Sequence, residues 1–322
     1  MSEGMEKKLF QEVEKVIAEV EEVVVGKSEA VHKVMAAILA GGHILIDDIP
    51  GVGKTTLAMA FSRAMNLASK RVQFTPDVMP SDILGFSMYQ KQDNQFVYQP
   101  GAVMCNLFLG DEINRTSPKT QSALLEVMEE GHVTVDGVTH EVPQPFIIIA
   151  TENPTGSIGT QMLPESELDR FMICITIGYP ELEDEIAIAM GKSSSNPLDA
   201  IKPVIDGEEL LTIRKAVEKV FLHPTIYRYL CKLVRATRQN PYIELGVSTR
   251  GTIALVRMAK AAAFLEKRMY VTPEDVAGVF EDVAAHRIIL NGKARINNMT
   301  AADVLKAIVE QEKMPSAKRI DK

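Results

Sequence analysis

Four short, nearly continuous apolar runs punctuate the first 180 residues: Ile44–Ile46, Leu107–Leu109, Phe146–Ala150 and Met172–Ile177. Each ends at turn or polar residues, as strands buried on both faces of a parallel sheet do. Between them the apolar spacing turns helical. Leu9, Phe10, Val13, Val16, Ile17 and Val20 predict an N-terminal helix, and Ala30–Ala40 a second one that Gly41-Gly42 ends. Thr55–Met65, Thr120–Glu130 with Leu124, Leu125, Val127 and Met128, and the acidic stretch Pro180–Met190 predict three more. Two segments interrupt the alternation. Gly85–Pro100 is polar and aromatic, and Val133–Val142 alternates around Asp136-Gly137, a strong hairpin turn signal. Both read as β-hairpin inserts, one on either side of Asp111 and Glu112.

The pattern changes at Gly191–Pro197, a Ser-rich stretch ending in proline that reads as a linker. Beyond it only helices are expected. Leu210–Val220 and Ile226–Thr237 are amphipathic, Ser248 caps a helix running to Leu265, Thr272-Pro273-Glu274-Asp275 opens another and Thr300 with Asp303 a last. The tail from Pro315 reads as frayed. The expected fold is therefore an α/β parallel-sheet domain, residues 1–197, followed by an all-helical domain, residues 198–322.

Composition narrows the class. The chain is 46% hydrophobic and 24% charged, ordinary for a globular protein, with a net charge of −8 that disfavours non-specific nucleic-acid binding. Cys105, Cys174 and Cys231 sit among apolar residues without CxxC spacing, so buried reduced thiols are expected, and the six histidines show no zinc-site spacing. The N-terminus lacks a signal-peptide pattern and no apolar run approaches membrane-spanning length, which points to a cytoplasmic protein without a membrane span.

The chemistry begins at Pro50-Gly51-Val52-Gly53-Lys54-Thr55-Thr56, between a predicted strand and a predicted helix. Such a loop lets backbone N–H groups, the helix dipole and Lys54 meet phosphates, while Thr55 offers a hydroxyl to Mg²⁺. Asp48 stands where the GxxxxGK[ST] pattern has its first glycine. Asp111-Glu112 ends another strand, where one carboxylate can anchor a metal and the other activate water. Asn153, in Thr151-Glu152-Asn153-Pro154, can hold that water, although Asn-Pro also starts turns unaided. Arg250, in the first turn after Ser248, opposes the helix dipole unless an anion reaches that end. Arg170, at the end of a short helix before a strand, is favourable there with or without a nucleotide.

The loop, Asp111-Glu112, Asn153, Leu168–Phe171 and Ser248–Arg250, in this order, resemble an AAA+ ATPase. Gln73–Gly85, Asp111–Glu130 and Leu163–Met172 resemble its MoxR branch, which also tolerates Asp48; Thr249 stands where the branch usually has proline. The resemblance implies ATP and Mg²⁺ as cofactors and a helical lid after about Pro197. It implies Lys54 and Thr55 as Walker A, Asp111 and Glu112 as Walker B, Asn153 as sensor 1, Arg250 as sensor 2 and Arg170 as arginine finger. It further implies a hexameric ring acting as a chaperone-like motor that matures protein complexes, often metalloenzymes, with a partner carrying a von Willebrand factor A domain. A metal-chelatase motor subunit, a nucleic-acid motor and a slowly turning nucleotide-gated scaffold are the alternatives. A DNA-gripping hairpin wants basic residues, and Val133–Val142 has none while Gly85–Pro100 has only Lys91.

Overall fold

The computed structural model describes residues 3–92, 94–153, 162–191 and 197–315. Helices α1 (Glu3–Glu21) and α2 (Ser28–Leu39) lead into strand β1 (Ile44–Asp47), and α3 (Lys54–Ala64) follows the glycine loop. Then come β2 (Ser69–Gln73), α4 (Pro80–Leu84) and a hairpin of β3 (Gly85–Gln90) and β4 (Gln95–Pro100). Strand β5 (Leu107–Asp111), helix α5 (Pro118–Glu130), a second hairpin of β6 (His132–Val135) and β7 (Val138–Glu141), and β8 (Ile147–Glu152) continue the chain. Helix α6 (Glu165–Leu168), β9 (Ile173–Ile175) and α7 (Leu182–Gly191) complete this part.

Strands β2, β5, β8, β1 and β9 form one sheet in that order, with every pair parallel. Side chains alternate between two buried faces. Ile44, Ile46, Leu107, Leu109, Ile147 and Ile149 join one core with α1 to α3. Leu45, Phe108, Ile148 and Ala150 join the other with Leu124, Leu125 and Val127 of α5. Burial on both faces is why these strands read as continuous apolar runs.

Strand β2 escapes the sequence reading because Ser69-Lys70-Arg71-Val72-Gln73 offers one apolar residue. It is an edge strand and largely exposed, and edge strands tolerate charge. Both hairpins form as expected, and Asp136 (φ 50°) and Gly137 (φ 80°) supply the two left-handed residues of the tight turn. Tyr98 of the first hairpin stacks on His140 of the second, centroids 3.8 Å apart, and fastens the two together.

The remainder is a helical lid: α8 (Gly207–Glu218), α9 (Pro224–Gln239), α10 (Thr249–Leu265), α11 (Pro273–Ala284), α12 (Gly292–Ile296) and α13 (Ala301–Gln311). The expectation of helices alone needs one addition, a short antiparallel pair of β10 (Ile243–Leu245) and β11 (Ile289–Leu290). Ser248 caps α10, and Thr272/Asp275 and Thr300/Asp303 form capping boxes, as their sequences predict. The predicted linker centre, residues 192–196, and the tail from residue 316 lie outside the described residues, as do Asp93 and Pro154. All three cysteines are free, but Cys231 is exposed, contrary to the expectation of buried thiols. Its neighbours Leu230, Leu233 and Val234 face the core, which turns Cys231 to solvent.

Arg287 ties lid to sheet. Its buried guanidinium meets Asp169 Oδ1 at 2.8 Å and donates to the carbonyls of Asp169, Phe171, Met172 and Val283. Removing the carboxylate strands a buried charge, which typically costs about 3–5 kcal/mol. Asp169→Ala is expected to lower unfolding stability by about that amount in urea titrations, whereas Glu29→Gln, which breaks an exposed pair with Lys33, stays within about 0.5 kcal/mol.

Candidate functional site

A parallel sheet places all its carboxyl ends on one edge. There the loop after β1, Asp111 and Glu112 after β5, and Asn153 after β8 come together around a cleft of about 310 Å³. Gly51 (φ 88°) and Gly53 (φ 95°) adopt left-handed conformations, so the loop turns back on itself and opens α3 with free N–H groups. Pro50, Gly51, Gly53, Lys54, Thr55 and Thr56 line the cleft. Val52 buries its side chain, so only its backbone belongs to the loop.

Asp48 accounts for the missing first glycine. Its carboxylate accepts hydrogen bonds from the backbone N–H groups of Ile49 (2.7 Å), Ile177 (2.5 Å) and Gly178 (2.6 Å). The loop is thereby pinned to the segment after β9, a fastening glycine cannot supply. Lys54 Nζ turns inward, donating to the carbonyls of Asp48 and of Glu152, the latter at 2.9 Å. Burial lowers the Lys54 pKa, opposed by the surrounding carboxylates, Asp48 first among them.

Thr55 Oγ1 lies 3.4 Å from Asp111 Oδ2. Two oxygen donors at a phosphate loop suit Mg²⁺, which usually takes one or two protein oxygens and completes its shell with phosphate and water. Glu112 occupies a left-handed backbone position (φ 57°) and donates its N–H to Thr151 Oγ1 at 2.9 Å. Its carboxylate pairs with Arg115 at 2.8 Å. Burial pushes the Glu112 pKa up, but hydrogen bonds from Arg115 and Asn153 outweigh it and hold the group below its ordinary value. Asn153 is buried, and its carbonyl accepts from Asn114 Nδ2 at 3.0 Å. A carboxylate kept ionised beside an amide can orient and deprotonate a water.

Arg170 and Arg250 stand elsewhere. With Glu129, Asp169 and Arg257 they line a cavity of about 490 Å³ beside Gly42, His43 and Met172, at the amino ends of β1 and β9. The length of β1, ~13 Å at about 3.3 Å per residue, separates that edge from the phosphate loop. The structure therefore brings these two arginines together but not to their own chain's loop. Both pair with one carboxylate: Arg170 Nε lies 3.3 Å from Glu129 Oε2, and Arg250 binds Glu129 Oε1. Ser248 Oγ donates to Asp169 at 2.9 Å and accepts from Gly251 N. Asp169 and Glu129 thus offset the cation that Arg250 places in the first turn of α10.

Sequence reasoning missed Arg71, Gln73, Arg115, Thr151 and Glu129. Arg71 and Gln73 lie on the unrecognised β2, where i, i+2 spacing would have paired them. Glu152 was read only as part of its motif. Burial pushes its carboxyl up to about 7, with Asp47 adding to the shift and Lys54 opposing it, and Oε1 has no hydrogen-bond partner among the described residues. The folded chain thus keeps a proton up to about pH 7 that the unfolded chain releases near 4.5. Folding binds a proton across that window, so this group's contribution to stability falls as pH rises through it. Glu152→Gln is expected to hold the urea midpoint more level between pH 5 and pH 7.5; an unchanged fall would show that Glu152 is not its source.

Comparison with known proteins follows the same division. Residues 43–173 match the model of the ATPase family associated with various cellular activities (AAA), and residues 235–308 match the AAA lid domain. The chain is 42% identical to YeaC of Bacillus subtilis over 94% of both chains. It is 33% identical to chaperone MoxR1 of Mycobacterium tuberculosis, over 96% of this chain and 84% of that one. A solved structure of a candidate ATPase from Cytophaga hutchinsonii superposes with a TM-score of 0.89 at 35% identity, covering 98% of each chain. With the parallel sheet, phosphate loop and helical lid in place, the chain belongs to the MoxR group of the AAA+ ATPase family.

Proposed function

We propose that this chain binds Mg²⁺·ATP at the carboxyl edge of its sheet, hydrolyses it to ADP and phosphate, and uses the cycle to remodel or mature partner protein complexes. The observation that carries the reading is the convergence of the glycine loop, Lys54, Thr55, Asp111, Glu112 and Asn153 on one cleft. In this reading residues 1–197 bind the nucleotide and residues 198–322 are the lid.

Bound magnesium supplies positive charge to the phosphate oxygens. The loop N–H groups and Lys54 hold the phosphates, and Lys54 must leave the carbonyls of Asp48 and Glu152 to do so. Thr55 and Asp111 hold the metal. Glu112 accepts the proton of the water that Asn153 orients. Arg170 and Arg250, at the opposite edge, complete the site of a neighbouring copy, which supports a closed ring; a hexamer is the form the resemblance implies. A protein client fits the exposed Phe86, Met88, Tyr89 and Phe96 of the first hairpin better than a nucleic acid does, since phosphate contacts need cations. A metalloenzyme client, a von Willebrand factor A partner and a cytoplasmic setting extend the proposal from the resemblance.

Lys54 acts on the bound ground state, whereas Glu112 acts mainly in the transition state. Lys54→Ala is therefore expected to lose ATP binding, and Glu112→Gln to bind ATP while hydrolysing it poorly. Equal binding losses, read by titrating a fluorescent ATP analogue, would reverse these roles.

An arginine supplied by a neighbour is typically worth about 10³–10⁵ in rate. Arg170→Ala is expected to bind ATP and hydrolyse it at a rate reduced on that scale. Mixing Arg170→Ala with Lys54→Ala chains creates interfaces that pair an intact cleft with an intact arginine, so ATPase activity should partly return. If mixed rings form and no activity returns, Arg170 acts within its own chain or not at all.

A further inference from the structure

Arg71 belongs to none of the motifs above, yet it sits among them. It projects from the edge strand β2, two residue pairs behind the Gln73–Asp111 register, and lines the same cleft as Lys54 and Thr55. Its Nε lies 2.7 Å from Asp111 Oδ2, the carboxylate oxygen that also faces Thr55 Oγ1 at 3.4 Å. A guanidinium thus occupies the metal-facing side of the residue that would anchor magnesium. The Arg71 side chain is 52% exposed and that of Asp111 7%. Only Nε is engaged among the described residues, so the two terminal nitrogens stay available. A guanidinium fork matches phosphate oxygens in shape and charge, and a second cation arriving at Asp111 Oδ2 is repelled by the first and competes with it.

We propose that Arg71 is a phosphate ligand of its own chain's nucleotide, parked on Asp111 until magnesium takes that oxygen. The proposal rests on the ATP reading above. Released Arg71 meets the outer phosphate from the β2 side, while Lys54 approaches from the β1 side. In the resting chain it neutralises Asp111, which would otherwise repel the incoming polyphosphate.

The test is equilibrium binding of fluorescent ATP and ADP analogues to the full chain, without metal and across a magnesium titration. Arg71→Ala is expected to weaken metal-free ATP-analogue binding about tenfold, the scale of one charge-assisted hydrogen bond. ADP-analogue binding should weaken less. The magnesium concentration that restores half of the binding should fall below the wild-type value, because no cation has to be displaced from Asp111. A merely structural Arg71 predicts the reverse: without it Asp111 is poorly held and more magnesium is needed. An unchanged metal-free affinity, or an unchanged or raised magnesium midpoint, overturns the proposal. Arg71→Gln, which keeps the stem and a neutral donor near the Nε position but loses the charged fork, repeats the test should the alanine variant fold poorly. Lys54→Ala separates the two levels: if it binds like the wild type, the ATP reading fails and the proposal falls with it. If Lys54→Ala loses binding while Arg71→Ala matches the wild type, only the role of Arg71 is lost.

Discussion

Parallel strand pairing makes the two edges of the sheet unlike, and nearly everything functional in this molecule follows from that polarity. Pairing of β1 with β8 and β9, and of β5 with β2 and β8, sends five chain exits to one edge and five entries to the other. At the exits the backbone offers N–H groups and the side chains of Asp111 and Glu112 offer carboxylates. At the entries Arg170 arrives before β9, and the lid brings Arg250 beside it. In an antiparallel sheet the two sets would be interleaved, and one chain could hold a complete site. If Arg170 and Arg250 serve the nucleotide as proposed, completion requires a second copy placed carboxyl edge to amino edge. Such a head-to-tail contact closes into rings when the rotation permits.

The charged groups of both edges are held in reserve by partners. Each charged group proposed for the site has a partner within the chain. Lys54 is held by two carbonyls, Asp111 by Arg71, Glu112 by Arg115, and Arg170 and Arg250 by Glu129. Unpaired charges at the depth of Lys54 and Asp111 would be costly, so their pairing offsets the burial of charge at the sheet edge. Asp48 shows the same economy at the backbone level. It replaces a glycine, yet three N–H groups satisfy its carboxylate and fix the loop's opening turn.

Much of this was legible in the chain because the strands that position the cleft are buried on both faces. Ile44–Ile46, Leu107–Leu109 and Phe146–Ala150 read as strands under helices, and in a parallel sheet the residues following them lie on one edge. What stayed hidden is what periodicity does not record. Strand β2 is polar because its edge is exposed, so Arg71 remained invisible as a site residue. Glu129 reads as a surface acid of α5, since nothing local shows that two arginines about 40 and 120 residues onward return to it. Cys231 was misjudged because its apolar neighbours occupy the adjacent face of α9. Burial follows the helical period, not sequence proximity.

The Glu129 pairing raises the question whether it blocks the arginines from serving a neighbour. Its magnitude answers that. The Arg250 and Glu129 side chains are 44% and 41% exposed, and ion pairs of that kind contribute ~0–1 kcal/mol each. Releasing both arginines thus costs at most about 2 kcal/mol. A finger worth 10³–10⁵ in rate lowers the barrier by about 4–7 kcal/mol. On the proposed reading, transition-state charge on an adjoining copy's phosphate would more than offset the loss of Glu129, and the carboxylate would be a rest that keeps the two guanidinium groups gathered at the amino edge. Asp169 is different in kind, because Arg287 beside it is buried and fastens lid to sheet. The lid's Arg287 thus grips Asp169, next to Arg170 in the chain, whereas Glu129 belongs to α5. Movement of the lid relative to α5 would part Arg250, on α10, from Glu129, which on the proposed ring reading would couple the lid to a residue serving the next copy.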